Sequence, residues 1–424
     1  MPEILTVGGY NEVGRNMTAV KVENDVFLFD MGVQLENYIR LNEDEDIADL
    51  NPEMLIKENA VPNITVLKDW QKKVRLIVPT HAHLDHIGAI PFLASRFNAP
   101  IVCTPFTRAV IKAMLNNENM KLPNKIKDMG VNESMPLPNG LKLEFINVTH
   151  STPQTIMAVL HTPRGAIIYA NDFKFDMYPT LGQKPNFKRL EQLGKKGVLA
   201  LIVDSTYSRL AQKMPSESVA KEMLRDVMLG TNARGKAIIV TTFSSHLARL
   251  KSIIEYAKQL NRRVIFLGRS LARYTLAGEE VGIVNFSKQV EIIKYSSKIN
   301  RRLRKVMAEG KEKFVLVVTG HQGEPRSTLP KMARGEMDFK FDKEDHVIFS
   351  CTVIPTPTNQ VNRAELEKEL RAKDIRIFSD IHVSGHAARE DLRDLINLVK
   401  PKHIIPAHGG LEMRAALAEL AEHM

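Results

Sequence analysis

The sequence has little sulfur chemistry, few aromatic rings and no long apolar run. Its 424 residues hold two cysteines, Cys103 and Cys351, which excludes a disulfide framework and a cysteine-based zinc site. A reducing compartment, the cytoplasm, is therefore expected. One tryptophan and eight tyrosines argue against dense aromatic stacking on a ligand strand. No apolar run approaches the roughly 20 residues needed to cross a bilayer, so no membrane partner is expected. The first residues, MPEILTVGGYNEVG, show neither a basic nor an apolar leader region, and no secretory signal is expected. What remains is the composition of a folded chain, 44% hydrophobic and 25% charged. At this length two domains, or one domain with an insertion, are expected.

Charge is more telling. Lys and Arg number 59 against 49 Asp and Glu, a net of +10, which favours an acidic partner, nucleic acid first. Residues 36–59 run the other way, with eight acids and two bases. An acidic segment (36–70) in a basic chain reads as a surface insertion without a catalytic role.

Along the chain, ILTVGG, MTAVKV and DVFLFD read as short strands, the last two as a hairpin. VRLIVPT (74–80) reads as a buried strand and 86–97 as a helix. Residues 141–150 and 155–172 return to strand, and VLALIVDST ends the β-rich stretch. From 207 onward strands and helices alternate, the pattern of a parallel sheet with crossover helices. IRIFSDIHVSGHA and HIIPAHGG are again strand-then-loop segments. The expected division is 1–206 and 376–424 as one domain, interrupted by 207–375.

The strongest chemical signal is His81-Ala-His83-Leu-Asp85-His86 at a strand-to-helix junction. Three imidazoles and a carboxylate within six residues suit transition-metal binding. His81 and His83 can face one side of the loop, Asp85 and His86 the other, so one loop can serve two ions. Further ligands are needed, and His150, Asp172 and His408 each close a strand-like run. The expected sets are His81, His83 and His150 on one ion and Asp85, His86 and His408 on the other, with Asp172 bridging.

That ligand order, together with an inserted α/β segment before the last His, resembles the metallo-β-lactamase superfamily and its β-CASP nuclease branch. GGYNEVGRNM (8–17), TGHQGEP (319–325) and HVSGHA (382–387) resemble the motifs of the ribonuclease J family, in its short archaeal form. The resemblance implies an αββα sandwich with an inserted β-CASP α/β domain. It also implies that Asp30 orients a ligand histidine, and that Asp204 positions His386, which acts on the phosphate. The motifs further place Ser245, His382, Ser384 and Gly385 at a 5′-phosphate pocket, where a glycine lets a phosphate approach the backbone.

The expected activity is hydrolysis of single-stranded RNA, 5′ to 3′, releasing 5′-mononucleotides. Two Zn²⁺ per chain are expected, with Mn²⁺ or Mg²⁺ as alternatives, and Asp85 is expected to serve both metal and catalysis. Basic residues in KINRRLRK (298–305), NRR (261–263), Arg269 and Arg273 are expected along the RNA path. A homodimer is compatible with the sequence. The competing expectation is an endoribonuclease of the RNA 3′-processing type on the same fold.

Overall fold

A computed structural model describes residues 1–44 and 50–424. The acidic segment begins with a helix, Leu35–Asp44, and resumes with Pro52–Lys57. Its middle lies outside the described residues. The chain divides into two compact units, Met1–Met214 with Ser384–Met424, and Pro215–Val383. These limits lie a few residues beyond the points at which the sequence rhythm changes. No helix among the described residues is long and apolar enough to cross a membrane.

The first unit holds two six-stranded sheets among the described residues. One runs in chain order through Glu3–Gly8, Met17–Val22, Asp25–Phe29, Val74–Val78, Ile101–Cys103 and Ile126–Asp128. Its hairpin pairs Val22 with Asp25, leaving a two-residue turn in which Glu23 takes a φ of 55°. The other is ordered Pro401–Ala407, Val198–Asp204, Gly165–Ala170, Ile156–Thr162, Lys142–Asn147 and Ser134–Pro136.

Strand periodicity sorts the side chains between two cores. Leu143, Phe145, Ala158, Ile167, Tyr169 and Ile202 pack with Phe27, Phe29, Leu76 and Val78 of the first sheet. Their neighbours Ile146, Met157, Val159, Ile168 and Leu201 pack instead with Leu190, Leu193, Leu392, Leu395 and Leu417. Those leucines lie on the helices Phe187–Lys196, Arg389–Val399 and Leu411–Glu422. The rings of Phe29 and Tyr169 stack across the inter-sheet core at 5.3 Å, a contact worth about 0.5–1.5 kcal/mol beyond burial.

The single helix expected over 86–97 is broken. Helices cover Leu84–Ile87 and Ile90–Leu93 separately. Pro91 has no N–H and its ring would clash with the carbonyl four residues back, so it fits only the first turn of a new helix. The break leaves one short helical turn to carry Asp85 and His86.

The second unit is a six-stranded, wholly parallel sheet in the order Val290–Ile293, Arg263–Leu267, Phe314–Val318, Ile238–Thr241, His346–Phe349, Arg376–Phe378. One face packs Ile239, Ile265, Leu316, Val318 and Val347 against Ile299, Leu303, Leu329 and Leu366 of the covering helices. Arg249 is fully buried in this unit and fork-paired with Glu217, Nε–Oε1 2.7 Å and Nη2–Oε2 2.8 Å.

Candidate metal centre

The strand ends of the first unit converge on one cluster. Val74–Val78 delivers Thr80, His81 and His83, and the helical turn delivers Asp85 and His86. Lys142–Asn147 ends three residues before His150, earlier than the sequence reading placed it, and Gly165–Ala170 ends two before Asp172. His408 directly follows Pro401–Ala407, Asp30 follows Asp25–Phe29, and Asp204 closes Val198–Asp204. Asp30, Asp172 and His408 take left-handed φ values of 58°, 55° and 53°. Outside glycine this region costs free energy, least for Asp, Asn and His. Each turns the chain sharply where its strand stops, which aims the side chain into the cluster.

Three groups of possible donors share Asp172; one joins it to Asp204, His386 and His408, and the other two are the constellations expected from the sequence. His81, His83, His150 and Asp172 form one, and Asp85, His86, Asp172 and His408 the other, with the donor atoms of each within 4.8 Å of one another. In the first, His83 Nδ1 lies 3.1 Å from both His81 Nε2 and His150 Nε2. Two ligands tetrahedral about a Zn²⁺ at about 2.0–2.1 Å stand about 3.3 Å apart, so this spacing fits a common ion. Asp172 Oδ2 is 3.5 Å from His81 Nε2, 3.5 Å from His150 Nε2 and 3.2 Å from His86 Nε2, while Oδ1 is 3.5 Å from His408 Nε2. Asp172 is 1% exposed and its Oδ1 has no hydrogen-bond donor. A buried carboxylate oxygen without a donor is costly unless a cation meets it. The donor set therefore fits two divalent ions with Asp172 between them.

Outer nitrogens hold the rings. His86 Nδ1 donates to Asp30 Oδ2 at 2.6 Å, and His150 Nδ1 to the Gly385 carbonyl at 2.7 Å. His81 Nδ1 donates to Thr80 Oγ1 at 3.0 Å, whose hydroxyl donates to Asp30. Asp30 thus anchors two rings, one directly and one through Thr80. His408 Nδ1 donates to Asn16 Oδ1 at 2.9 Å, and His386 Nδ1 to Asp204 Oδ2 at 2.8 Å. Each anchor fixes the tautomer and turns Nε2 inward, as metal-bound imidazoles require. His83 alone presents Nδ1.

Charge follows the same plan. Burial lowers the His81 and His150 imidazoles well below the usual histidine range, helped by neighbouring imidazoles, and lowers His83 to about 4. Neutral rings offer lone pairs. Burial alone would raise the Asp172 carboxyl, but His408, His86 and His386 overcome it and hold it well below the carboxylate range. Asp85 behaves likewise, burial being outweighed chiefly by His86. Burial opposes protonation of His86 and His386, yet Asp172 and Asp30 raise His86 well above its ordinary value, and Asp172 and Asp204 raise His386 to about 9.

His386 Nε2 lies 3.9 Å from Asp172 Oδ2, and its ring stacks on His408 at 5.7 Å. Ser384 Oγ accepts from the His386 N–H at 3.2 Å. Gly385 is packed rather than open: a Cβ there would meet Ser151 N at 2.7 Å and His150 Nδ1 at 2.8 Å. Ser245 and His382 belong to the second unit, Ser245 buried and His382 with its ring 6.1 Å from Phe243. Three residues at the cluster were not singled out from the sequence: Asn16, Thr80 and Asn171, whose Nδ2 donates to Tyr169 Oη and Asn16 Oδ1. Asn16 sits in the GGYNEVGRNM motif, the one signal that pointed to it.

The comparisons with known proteins follow the same lines. A family model described as "Ribonuclease J, beta-CASP domain" matches residues 235–366. "Beta-lactamase superfamily domain" matches 52–212, and "Zn-dependent metallo-hydrolase RNA specificity domain" matches 374–424. The chain is 42% identical to a ribonuclease J of Methanocaldococcus jannaschii over 99% of its length and 94% of the relative's. It is 41% identical to one of Pyrococcus abyssi over 100% and 93%. A crystal structure of a protein of unknown function from Enterococcus faecalis shares the fold, with a TM-score of 0.65 at 17% identity over 96% of this chain and 93% of that one. With two near full-length relatives above 40% identity and the family's own domain model matched, the chain belongs to the ribonuclease J family.

Proposed function

We propose that the chain is a metal-dependent ribonuclease that hydrolyses single-stranded RNA from the 5′ end and releases 5′-mononucleotides. The observation that carries the reading is the single buried carboxylate of Asp172 shared by two histidine-rich constellations. When bound, two divalent ions there would bring the pKa of a shared water to about 7 and draw off charge from the phosphoryl oxygens. His81, His83 and His150 would hold one ion, Asp85, His86 and His408 the other, with Asp172 spanning them. An imidazole-rich donor set favours Zn²⁺ over Mn²⁺ or Mg²⁺.

The remaining groups act on the substrate. His386 Nε2 faces the cluster while Asp204 keeps the proton on Nδ1. In that orientation His386 can stabilise the phosphoryl oxygens or protonate the departing 3′ oxygen. We assign the Ser384 hydroxyl, beside His386, to the terminal phosphate. Within the second unit, Ser245 and His382 are the candidates for anion contact. The phosphodiester is cut on its 3′-oxygen side, so each product begins with a 5′-phosphate.

The chemistry is tested on purified protein with RNA of defined sequence. Strong chelation should abolish turnover, Zn²⁺ should restore it, and products should carry 5′-phosphate and 3′-hydroxyl ends. Products with 2′,3′-cyclic phosphate ends, or undiminished activity in the chelator, would contradict the reading.

A further inference from the structure

Asn16 is fully buried among the candidate ligands, yet its amide is a poor ligand for a transition metal and takes no part in the chemistry above. Its hydrogen bonds fix its orientation. Nδ2 donates to the Asp85 carbonyl at 3.0 Å, an atom that can only accept, and lies 3.1 Å from His86 Nε2. Oδ1 therefore points the other way, where it receives Asn171 Nδ2 at 3.2 Å and meets His408 Nδ1 at 2.9 Å. An amide oxygen only accepts, so His408 Nδ1 carries a proton. With Nδ1 turned to that acceptor, Nε2 is the nitrogen left to offer a lone pair to a cation, 3.7 Å from Asp85 Oδ2 and 3.5 Å from Asp172 Oδ1. The Gly14 N–H also points at Nδ1 but from 3.5 Å, and the shorter contact governs.

The surrounding loop is shaped for this. Gly9 has a φ of 82°, and a Cβ there would come within 2.5 Å of Asn16 Oδ1. The Gly9 carbonyl accepts the His408 backbone N–H at 2.6 Å. The loop from Gly9 to Asn16 thus grips both backbone and ring of a residue 392 positions away from Asn16.

We propose that Asn16 is a positioning residue that locks His408 as the Nδ1–H tautomer and thereby completes the constellation of Asp85, His86, Asp172 and His408. The inference rests on the two-ion reading above. Without the acceptor, His408 is free to rotate or to move its proton to Nε2, and that constellation loses one donor. The other constellation, of His81, His83, His150 and Asp172, makes no hydrogen bond to Asn16 and keeps its geometry.

The test is zinc titration of the full chain against a chromophoric chelator, for wild type, Asn16→Ala and Asn16→Asp. Wild type should bind two ions; a wild type that binds one contradicts the two-ion reading itself. Asn16→Ala should bind one ion as wild type does and the other about 10–100-fold more weakly, the scale for removing a partner of a ligand histidine. Asn16→Asp keeps the acceptor for His408 Nδ1 but sets a carboxylate oxygen against the Asp85 carbonyl, so it should recover part of that loss. Wild-type affinity at both sites in Asn16→Ala, equal weakening of both, or equal loss in the two variants overturns the inference. If Asn16→Ala does not fold, ¹⁵N imidazole spectra of the wild-type chain decide: Nδ1–H at His408 upholds the lock, and a proton on Nε2 overturns it.

Discussion

His386 Nδ1 stands 2.8 Å from Asp204 Oδ2, across 182 positions of sequence. The carboxylate fixes which nitrogen carries the proton and leaves Nε2 facing Asp172. His386→Ala should lose about 10²–10⁴ in rate, the usual scale for acid–base and oxyanion groups. Its metal content should stay at the wild-type level. Asp204→Asn should also lose rate with metal retained, because the ring is no longer held. Single-turnover kinetics beside metal analysis checks both, and loss of an ion in His386→Ala would show that His386 is itself a ligand.

Seven candidate ligand residues in two constellations sharing Asp172 lead to an expected two ions per chain, as in other two-ion hydrolytic sites. His81→Ala removes a donor from the first constellation and should lower metal content and activity together. Elemental analysis of wild type and variant after dialysis measures this directly.

In the second unit the buried Arg249 depends on Glu217. Burial alone would raise the Glu217 carboxyl, but His246 and Arg249 hold it well below the carboxylate range. A carboxyl depressed on folding contributes its full stability above its unfolded pKa of about 4.3 and loses it as pH falls through the folded value. Glu217→Gln leaves a buried guanidinium uncompensated and should cost about 3–5 kcal/mol at pH 7. The gap from wild type should shrink below about pH 4. Thermal unfolding of both proteins across that range is the measurement.

The helix Ser296–Glu309 carries several basic residues, but not all are available. Arg302 pairs with Glu291 and Glu309, and Arg304 with Asp338. Lys298, Arg301 and Lys305 are exposed, on positions three and four apart that share one face. If they meet RNA phosphates, replacing all three by Ala should lower the salt dependence of RNA binding by about two in the log–log slope. Replacing Arg302 and Arg304 should change it less. Filter binding at several salt concentrations separates the two sets.

Much of the site was readable because ligand chemistry is concentrated in residue type. Four ligand-type side chains between His81 and His86 have few other uses, and a strand-end Asp or His stands out once a partner cluster is known. Of the anchoring residues, Asp30 and Asp204 were reached through the family resemblance, whereas Asn16 and Thr80 were not readable, for a physical reason. Asn16 in a glycine-rich loop looks like any turn residue, and its partner His408 is brought close only by the tertiary fold. Thr80 gives no sign that its hydroxyl relays His81 to Asp30. At Gly385 a side chain would strike His150, a packing requirement that only the tertiary fold reveals. The broken helix after His83 shows a local rule that was visible, at Pro91, and was outweighed by apolar periodicity.

The direction of degradation tests the account most directly. A linear RNA labelled at either end is digested beside a circular RNA of the same sequence. Degradation from the 5′ end predicts that 5′ label appears at once as mononucleotide, that 3′ label persists in long products until late, and that the circle survives. Rapid cutting of the circle would contradict it in favour of internal cleavage of the RNA 3′-processing type, and early release of the 3′ label as mononucleotide would contradict it in favour of the opposite polarity.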